Sequence, residues 1–419
     1  MAMRDLIKIE DIVIPNPKIS ISKGAVVDYI PMEEISPNNR YVFSKQKRKY
    51  NGGAKFENED VIFARITPCL QNRKISQYIS DSKNPASGST EYFVFRSIPN
   101  VSDNAYIYYL LKSDLVVETA INSMKGASGR QRAEIKPILD LQMNIPKYSE
   151  QVAIGKILSA YDNLIENNNR RIAILEEMAQ RLYREWFVHF RFPGHESVNM
   201  VESELGLIPE GWEAVKLGDI LSFNRGKSYT SKEINVEEGL PFVNLKNIQS
   251  FGGFRGDGTK LFDGKYKDSH VVVNGDIVMA VTDMTQERRL VGQVARIANI
   301  INHAIISMDL IKLVPNNNSH MPFIYSVFRY SEISRKISEY ANGANVLHLN
   351  PEVVVQQKII MPDNKTIGKF VGIAELLYNN IDILEKKNTN LRKTRDLLLP
   401  PLISGDIDVS DLPIPTEED

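Results

Sequence analysis

Pro146 closes the short run Met143-Asn144-Ile145, Pro362 closes Ile359-Ile360-Met361, and each proline is followed by a long helical pattern. The step from 146 to 362 is 216 residues. The same step carries Asp60-Val61-Ile62-Phe63-Ala64 onto Asp276-Ile277-Val278-Met279-Ala280, and Val94-Phe95 with Pro99 onto Leu310-Ile311 with Pro315. Nearby offsets carry Ile7-Lys8-Ile9-Glu10-Asp11-Ile12 onto Val215-Lys216-Leu217-Gly218-Asp219-Ile220, and Tyr106-Ile107-Tyr108 with Lys112 onto Phe323-Ile324-Tyr325 with Arg329. Solenoids and propellers recur every roughly 20 to 50 residues, so a period this long marks duplicated domains instead. A chain of 419 residues has room for two, each burying its own core.

Each half reads as short β segments between turn residues, such as Tyr92 to Phe95, Val294 to Ile297 and Leu310 to Leu313. Asn274-Gly275 between Val271-Val272-Val273 and Ile277-Val278-Met279 is a hairpin signal. Each half also carries a helical stretch, at 105–122 and 322–340, which makes the class α+β. Two further segments differ in kind. Between Gln151 and Phe187, residues Ile154, Leu158, Tyr161, Ile165, Asn168, Ile172, Leu175, Ala179, Leu182 and Trp186 follow a 4-3 spacing. The second copy gives Phe370, Ala374, Leu377, Ile381, Leu384, Asn388, Leu391, Arg395 and Leu398, with Pro400-Pro401 as the expected stop. These are heptad seams, and two in one chain are expected to pair as an antiparallel coiled coil. That pairing relates the halves by a pseudo-twofold axis. Asn168 and Asn388 either fix the register of the seams or face solvent; the sequence allows both. From Ile154 to Trp186 the helix spans about 48 Å at 1.5 Å per residue, a rod comparable with the roughly 34 Å between half-sites one DNA turn apart.

Hydrophobic residues make up 42% and charged residues 25%, and no apolar run approaches the roughly 18 residues of a membrane span. The start, Met1-Ala2-Met3-Arg4-Asp5, lacks the apolar core of a signal peptide, and Cys69 is the one cysteine. A cytoplasmic protein without disulfides or a cysteine metal cluster is expected. The net charge of −1 is unevenly spread: 21 basic against 16 acidic residues in 1–149, and 17 against 15 in 211–361, with the acid concentrated in the linker and tail. A modest positive excess on both globular halves suits phosphate contact, although ordinary fluctuation produces such numbers too.

The stretch Ala179-Gln180-Arg181-Leu182-Tyr183-Arg184-Glu185-Trp186-Phe187-Val188-His189-Phe190-Arg191-Phe192-Pro193-Gly194, then Glu204-Leu205-Gly206-Leu207-Ile208-Pro209-Glu210-Gly211-Trp212, resembles the central region of type I restriction-modification specificity subunits. So does Val281-Thr282-Asp283-Met284-Thr285-Gln286. The resemblance covers essentially the whole chain, is strongest at the central helix and linker and is weak inside the first half. It implies a non-catalytic subunit with two target-recognition domains, each reading one half of a split site in double-stranded DNA. Two methyltransferase subunits would dock on the helices, with S-adenosylmethionine bound there and no cofactor in this chain, and two restriction subunits would join where present. The expected layout is a first recognition domain at 1–149, a spacer helix at 150–190, a linker at 191–210, a second recognition domain at 211–362, a second helix at 363–402 and an acidic tail at 403–419.

The chain lacks the Asn-Pro-Pro-aromatic tetrapeptide of adenine methyltransferases and a Walker A loop, no Gly-x-Gly turn for S-adenosylmethionine is expected, and its six histidines show no metal-ligand spacing. An enzyme with its own methyltransferase or nuclease activity is therefore the first rival reading, and a coiled-coil scaffold without a nucleic-acid role the second. The residues with phosphate or base-edge capacity lie in loops. Phe223 to Tyr229 offers Arg225, Lys227, Ser228 and Tyr229 around a glycine, with Arg suited to bidentate guanine contact and Lys to phosphate. Thr282 to Arg289 offers Thr282, Asp283, Gln286, Arg288 and Arg289. In the first half Lys45, Lys47, Arg48 and Lys49 form a basic run, a pattern that solvated loops also show. Gly129 to Pro137 aligns with Gly343 to Pro351 at an offset of 214, setting Arg130-Gln131-Arg132 against Ala344-Asn345-Val346 and adding Asn345 and His348. A shared frame with different contents fits two different half-sites, or drift of an idle loop. Arg65, Arg73 and Lys246 complete the candidates.

Overall fold

The computed structural model describes residues 6–82, 84–127 and 129–410, so most of the expected acidic tail lies outside the described residues. It is a mixed α/β chain with two compact units, Met1–Arg170 with Lys387–Asp419, and Arg171–Lys386. The division falls inside both long helices, so each unit holds one globular half and part of each helix.

In the first unit Leu6–Lys8 pairs antiparallel with Gln142–Asn144, bringing the ends of the globular segment together. A five-stranded sheet follows the spatial order Val13–Pro15, Tyr92–Ser97, Val61–Ala64, Ile75–Tyr78, Tyr41–Val42. A second sheet is ordered Lys47–Lys49, Val26–Ile30, Ala86–Gly88, Ala54–Phe56. The second unit repeats this plan. Glu213–Lys216 pairs with Lys358–Met361. One sheet is ordered Leu221–Arg225, Leu310–Pro315, Ile277–Ala280, Val294–Arg296, and the other Lys260–Phe262, Leu240–Val243, Ala304–Ile306, Val271–Val272. Even the single parallel pairing in the second sheet recurs, as Tyr29↔Ser87 and as Phe242↔Ile305.

The repeated apolar runs are central strands buried on both faces. Side chains alternate across a strand, so Val61 and Phe63 enter one core while Ile62 enters another, and Ile277 and Met279 separate from Val278 and Ala280 in the same way. This burial overrides the Asn274-Gly275 hairpin signal. Val271–Val272 pairs with Ala304–Ile305 in one sheet and Ile277–Ala280 joins the other, so the turn, with Gly275 at φ +94°, bridges two sheets rather than two partners.

The stretches 105–122 and 322–340 each break into two helices, Asn104–Lys112 with Asp114–Asn122, and Met321–Tyr330 with Ile333–Ser338. Extended backbone at Ser113 and Ser331 makes the breaks, and both hydroxyls turn back onto helix carbonyls, of Leu110 and Val327.

The first long helix runs Tyr148–Tyr183, followed by one π turn at Arg184–Val188, and ends where Phe190 adopts φ +57°. Its last turn supports an aromatic cluster: Phe187 lies 4.8 Å from Phe370 and 5.0 Å from Phe323, and Trp212 lies 5.0 Å from Phe192. The segment expected as a linker contains a hairpin, Met200–Ser203 with Gly206–Pro209.

The second long helix runs Asn364–Ser404 and passes through Pro400-Pro401 instead of stopping there. Two prolines remove two helix N–H groups, a cost in any interior turn. Here Leu402 and Ile403 are buried in the first unit's core, which offsets it. Gly405, at φ +84°, ends the helix, and the Ile407 N–H reaches the Pro401 carbonyl at 3.0 Å. Every seam residue of both helices is buried or half-buried. Within the first unit Asn168 Nδ2 donates to Asn388 Oδ1 at 2.8 Å, Asn388 Nδ2 donates to Asn169 Oδ1 at 2.9 Å, and Asp162 meets Arg395. As one chain number rises the other falls, so the two helix segments in this unit run in opposite senses.

Candidate nucleic-acid interface

In the first unit Lys47, Arg48 and Lys49 form an exposed edge strand, with Lys45 exposed beside it. The guanidinium of Arg48 lies 4.2 Å from the Tyr29 ring and bonds Gln46 Oε1, and no carboxylate pairs with these four cations among the described residues. An unneutralised edge strand of this kind repels another strand and attracts phosphate. Arg65 and Arg132 are less available. Glu91 holds Arg132 through bonds of 2.8 and 3.0 Å and Arg65 at 3.3 Å, and the bond from Arg132, acting against partial burial, keeps the Glu91 carboxyl below its ordinary range. Arg73 is paired with Asp114 at 2.6 Å. Arg130 is exposed, and Gln131 is half-buried with its carbonyl accepting from the Thr67 N–H.

In the second unit Arg225 is exposed at a strand end and Lys227 is half-buried, its N–H donating to the Ile306 carbonyl at 2.8 Å. Gly226 is needed for that approach, because a Cβ there would lie 1.9 Å from the Ser307 oxygen. Ser228 is exposed, but half-buried Tyr229 packs edge-on against Phe242 at 4.9 Å, so one edge of its ring is committed to the core. Lys246 is exposed, and its carbonyl accepts from Arg255 at 2.9 and 3.1 Å.

Thr282 and Asp283 face inward, which corrects their placement among contact residues. Thr282 Oγ1 donates to Asp309, and the Asp283 carboxylate accepts from the N–H groups of Thr285, Leu290 and Val291. Burial works to raise the Asp283 pKa, but these bonds outweigh it and hold the group below its ordinary value. Its charge is spent on shaping the loop. Arg288, at φ +52°, donates to the Ser338 and Ala341 carbonyls and likewise braces the loop. Gln286 donates to the carbonyls of Gly343 and Ala344, tying the 284–289 loop to the second repeated loop. Arg289 is exposed but paired with Glu287, while Asn345 and His348 are exposed.

The paired loops align differently from the sequence reading. Ile66 bridges Arg132 where Thr282 pairs with His348, and the N–H groups of Ala133 and Leu349 donate to the carbonyls of Arg65 and Val281, each at 2.8 Å. The structural offset is therefore 216, not 214. Arg132 stands opposite His348, and Arg130-Gln131 opposite Val346-Leu347. Matching the glycines and prolines by sequence hid a two-residue slip within the loop. The structure also supplies a residue the sequence reading missed: Lys260 lies on Lys260–Phe262, the edge strand that occupies the place of Lys47–Lys49.

The chain's single Gly-x-Gly, Gly256-Asp257-Gly258, forms a short 3-10 turn under the Lys246 carbonyl rather than a strand-to-helix phosphate turn. No cluster of His, Cys, Asp and Glu able to hold a metal occurs among the described residues, and no described helix is long and apolar enough to cross a membrane.

The family described as the type I restriction modification DNA specificity domain matches residues 1–177 and 209–393. The chain belongs to this family. The MjaIX specificity subunit of Methanocaldococcus jannaschii is 27% identical over 406 residues, covering 95% of this chain and 90% of its own length. The HindI specificity subunit of Haemophilus influenzae is 22% identical over 385 residues, covering 76% and 81%. Among solved structures, the type I restriction-modification S subunit from M. genitalium superposes with a TM-score of 0.55 at 18% identity, over 95% of this chain and 96% of that one, which shows a shared fold. The two family matches fall on the two repeated plans. The segment Ala179 to Trp212 falls almost wholly between the two matches, and in this chain it builds the aromatic cluster around Phe187.

Proposed function

We propose that the chain reads a bipartite DNA site for a type I restriction-modification complex, one half-site per unit, and performs no chemistry itself. The observation that carries this reading is one strand plan built twice with different residues on the same edge strand, exposed Lys47-Arg48-Lys49 in one unit and half-buried Lys260 in the other. Affinity comes from Lys and Arg on phosphate and specificity from side chains on base edges. The two long helices form an antiparallel coiled coil, supported by the opposed Asp162–Arg395 and Asn168–Asn388 contacts, and relate the recognition units by a pseudo-twofold axis that suits duplex DNA.

Two methyltransferase subunits dock on this pair of helices, bringing S-adenosylmethionine and flipping the target adenine, with restriction subunits joining where present. Exposed apolar residues on the helices support that docking: Leu164 and Leu397 in the first unit, and Ile174, Met178, Leu376 and Ile383 in the second. Methylome sequencing of a host carrying the partner subunits, with and without this chain, tests the reading. A split adenine motif methylated only when the chain is present is expected. An unchanged methylome in the presence of active partners contradicts it.

A further inference from the structure

The first unit contains a cleft of about 730 Å³ that none of the sequence candidates except Arg65 touches. Asn16, Pro17, Lys18 and Ser20 form one wall, and Gly53 to Lys55, Thr90, Tyr92 and Phe93 form the other. Lys18, Lys55 and Arg65 line it, Arg65 paired with Glu91 behind it, and no carboxylate-bearing residue is among the lining. Its volume suits a substantial ligand, and its charge suits an anion.

The repeat gives this cleft its meaning. Pro15 pairs with Phe95 as Arg225 pairs with Ile311, and the next residue, Asn16 or Gly226, donates its N–H to the carbonyl of Val94 or Leu310. Asn16-Pro17-Lys18 therefore takes the place of Gly226-Lys227-Ser228, the loop singled out in the second unit for its phosphate-binding chemistry. Asn16 holds φ +43° and its Oδ1 accepts from the Val94 N–H at 3.0 Å, which fixes the loop at the cleft mouth. The opposite wall also varies between units. Lys55 pairs with Ser87 where Val271 pairs with Ile305, and Ser87 and Ile305 each begin the parallel pairing of their sheets. Lys55 Nζ donates one bond, to the Ile19 carbonyl at 2.9 Å, leaving two of an ammonium's three donors for a ligand. Lys18 is exposed and has no carboxylate partner among the described residues.

We infer that this cleft seats the sugar-phosphate backbone of the half-site read by the first unit, with Lys18 and Lys55 on phosphates. This rests on the DNA-reading function proposed above and adds to it two residues and a place. The test uses the full chain assembled with its methyltransferase subunits and a duplex carrying the methylated motif, titrated across a range of salt. Replacing both Lys18→Ala and Lys55→Ala is expected to weaken binding about tenfold or more and to lower the salt slope by about two, one per phosphate contact. The Lys18→Arg, Lys55→Arg pair is expected to restore both, because a cation is what the contact needs. Unchanged affinity and slope in the alanine pair would overturn the inference, as would a loss that arginine does not restore, since the lysines would then act only on the fold. The unaltered complex keeps the two claims apart: if it shows no motif-selective, salt-dependent binding, the proposed function fails, and if it does, the variants judge the cleft alone.

Discussion

Replacing Asp162 by Ala is expected to destabilise the first unit by about 3 to 5 kcal/mol, the usual cost of leaving one member of a buried ion pair alone. Asp162 and Arg395 are among the most buried charged side chains of the chain, with side-chain exposures of 1% and 4%. Asp162 also accepts from the Tyr109 hydroxyl, and Arg40 lies close by, its guanidinium over the Tyr109 ring at 5.2 Å. Removing the carboxylate leaves buried Arg395 with the exposed Asp396 as its remaining carboxylate and takes the acceptor from the Tyr109 hydroxyl. For a unit of this size the midpoint should fall by roughly 10 °C, read by thermal or denaturant unfolding of the full chain. The Asp162→Leu, Arg395→Met double variant should recover most of the loss, because trading a buried pair for apolar packing is often neutral or stabilising. A midpoint within a degree or two of the original in Asp162→Ala would show that the pair is not buried in solution.

The second large effect concerns spacing. Inserting one heptad after Arg170 and one after Lys386 places the additions where the chain divides into its two units, so contacts such as Asn168 with Asn388 stay within the first unit and Tyr183 with Phe370 within the second. Under the proposed function the recognition units then separate by about 10 Å at 1.5 Å per residue, close to three base pairs at 3.4 Å each. Three base pairs also rotate the far half-site by roughly 100°, which DNA or protein must absorb by twisting. Methylation of the original site is expected to fall to background, and any motif recovered should keep both half-sites and lengthen the spacer. Full activity on the original spacer would mean that the helices do not measure the site.

Much of this architecture was legible because it rests on periodicity. The 216-residue step located both central strands, Val61–Ala64 and Ile277–Ala280, and the 4-3 spacing located both helices. Arg395 stood in the second seam from the start, but its partner Asp162 sits one residue off the first seam and could not be named, since adjacency across two helices is a tertiary fact. Local signals failed where tertiary burial outweighed them. Pro400-Pro401 reads as a stop, yet the buried Leu402 and Ile403 carry the helix on, and Asn274-Gly275 reads as a hairpin, yet its flanking strands are claimed by different sheets.

The candidate interface was harder to read for a related reason. A basic residue in a loop looks the same whether it is exposed, like Lys47, or committed to a neighbour, like Arg132 on Glu91. Asp283 and Arg288 looked like contact residues because loop-bracing and base-reading use the same polar side chains. Lys18 and Lys55 were passed over because neither belongs to a charged run; only the strand pairing shows that they face one cleft and that Lys18 answers to Ser228.

The central claim is that the two units read separate half-sites, and exchanging one unit's globular half tests it most directly. Residues 211–361, replaced by the matching domain of a relative with a different target, are to be expressed with the methyltransferase partners and the methylated motif mapped. The ends of the exchanged segment lie together through the pairing of Glu213–Lys216 with Lys358–Met361, so the graft enters and leaves at one place. The account predicts that one half of the motif changes to the donor's and the other half stays as it was. A motif altered in both halves, or in neither while methylation continues, would contradict it.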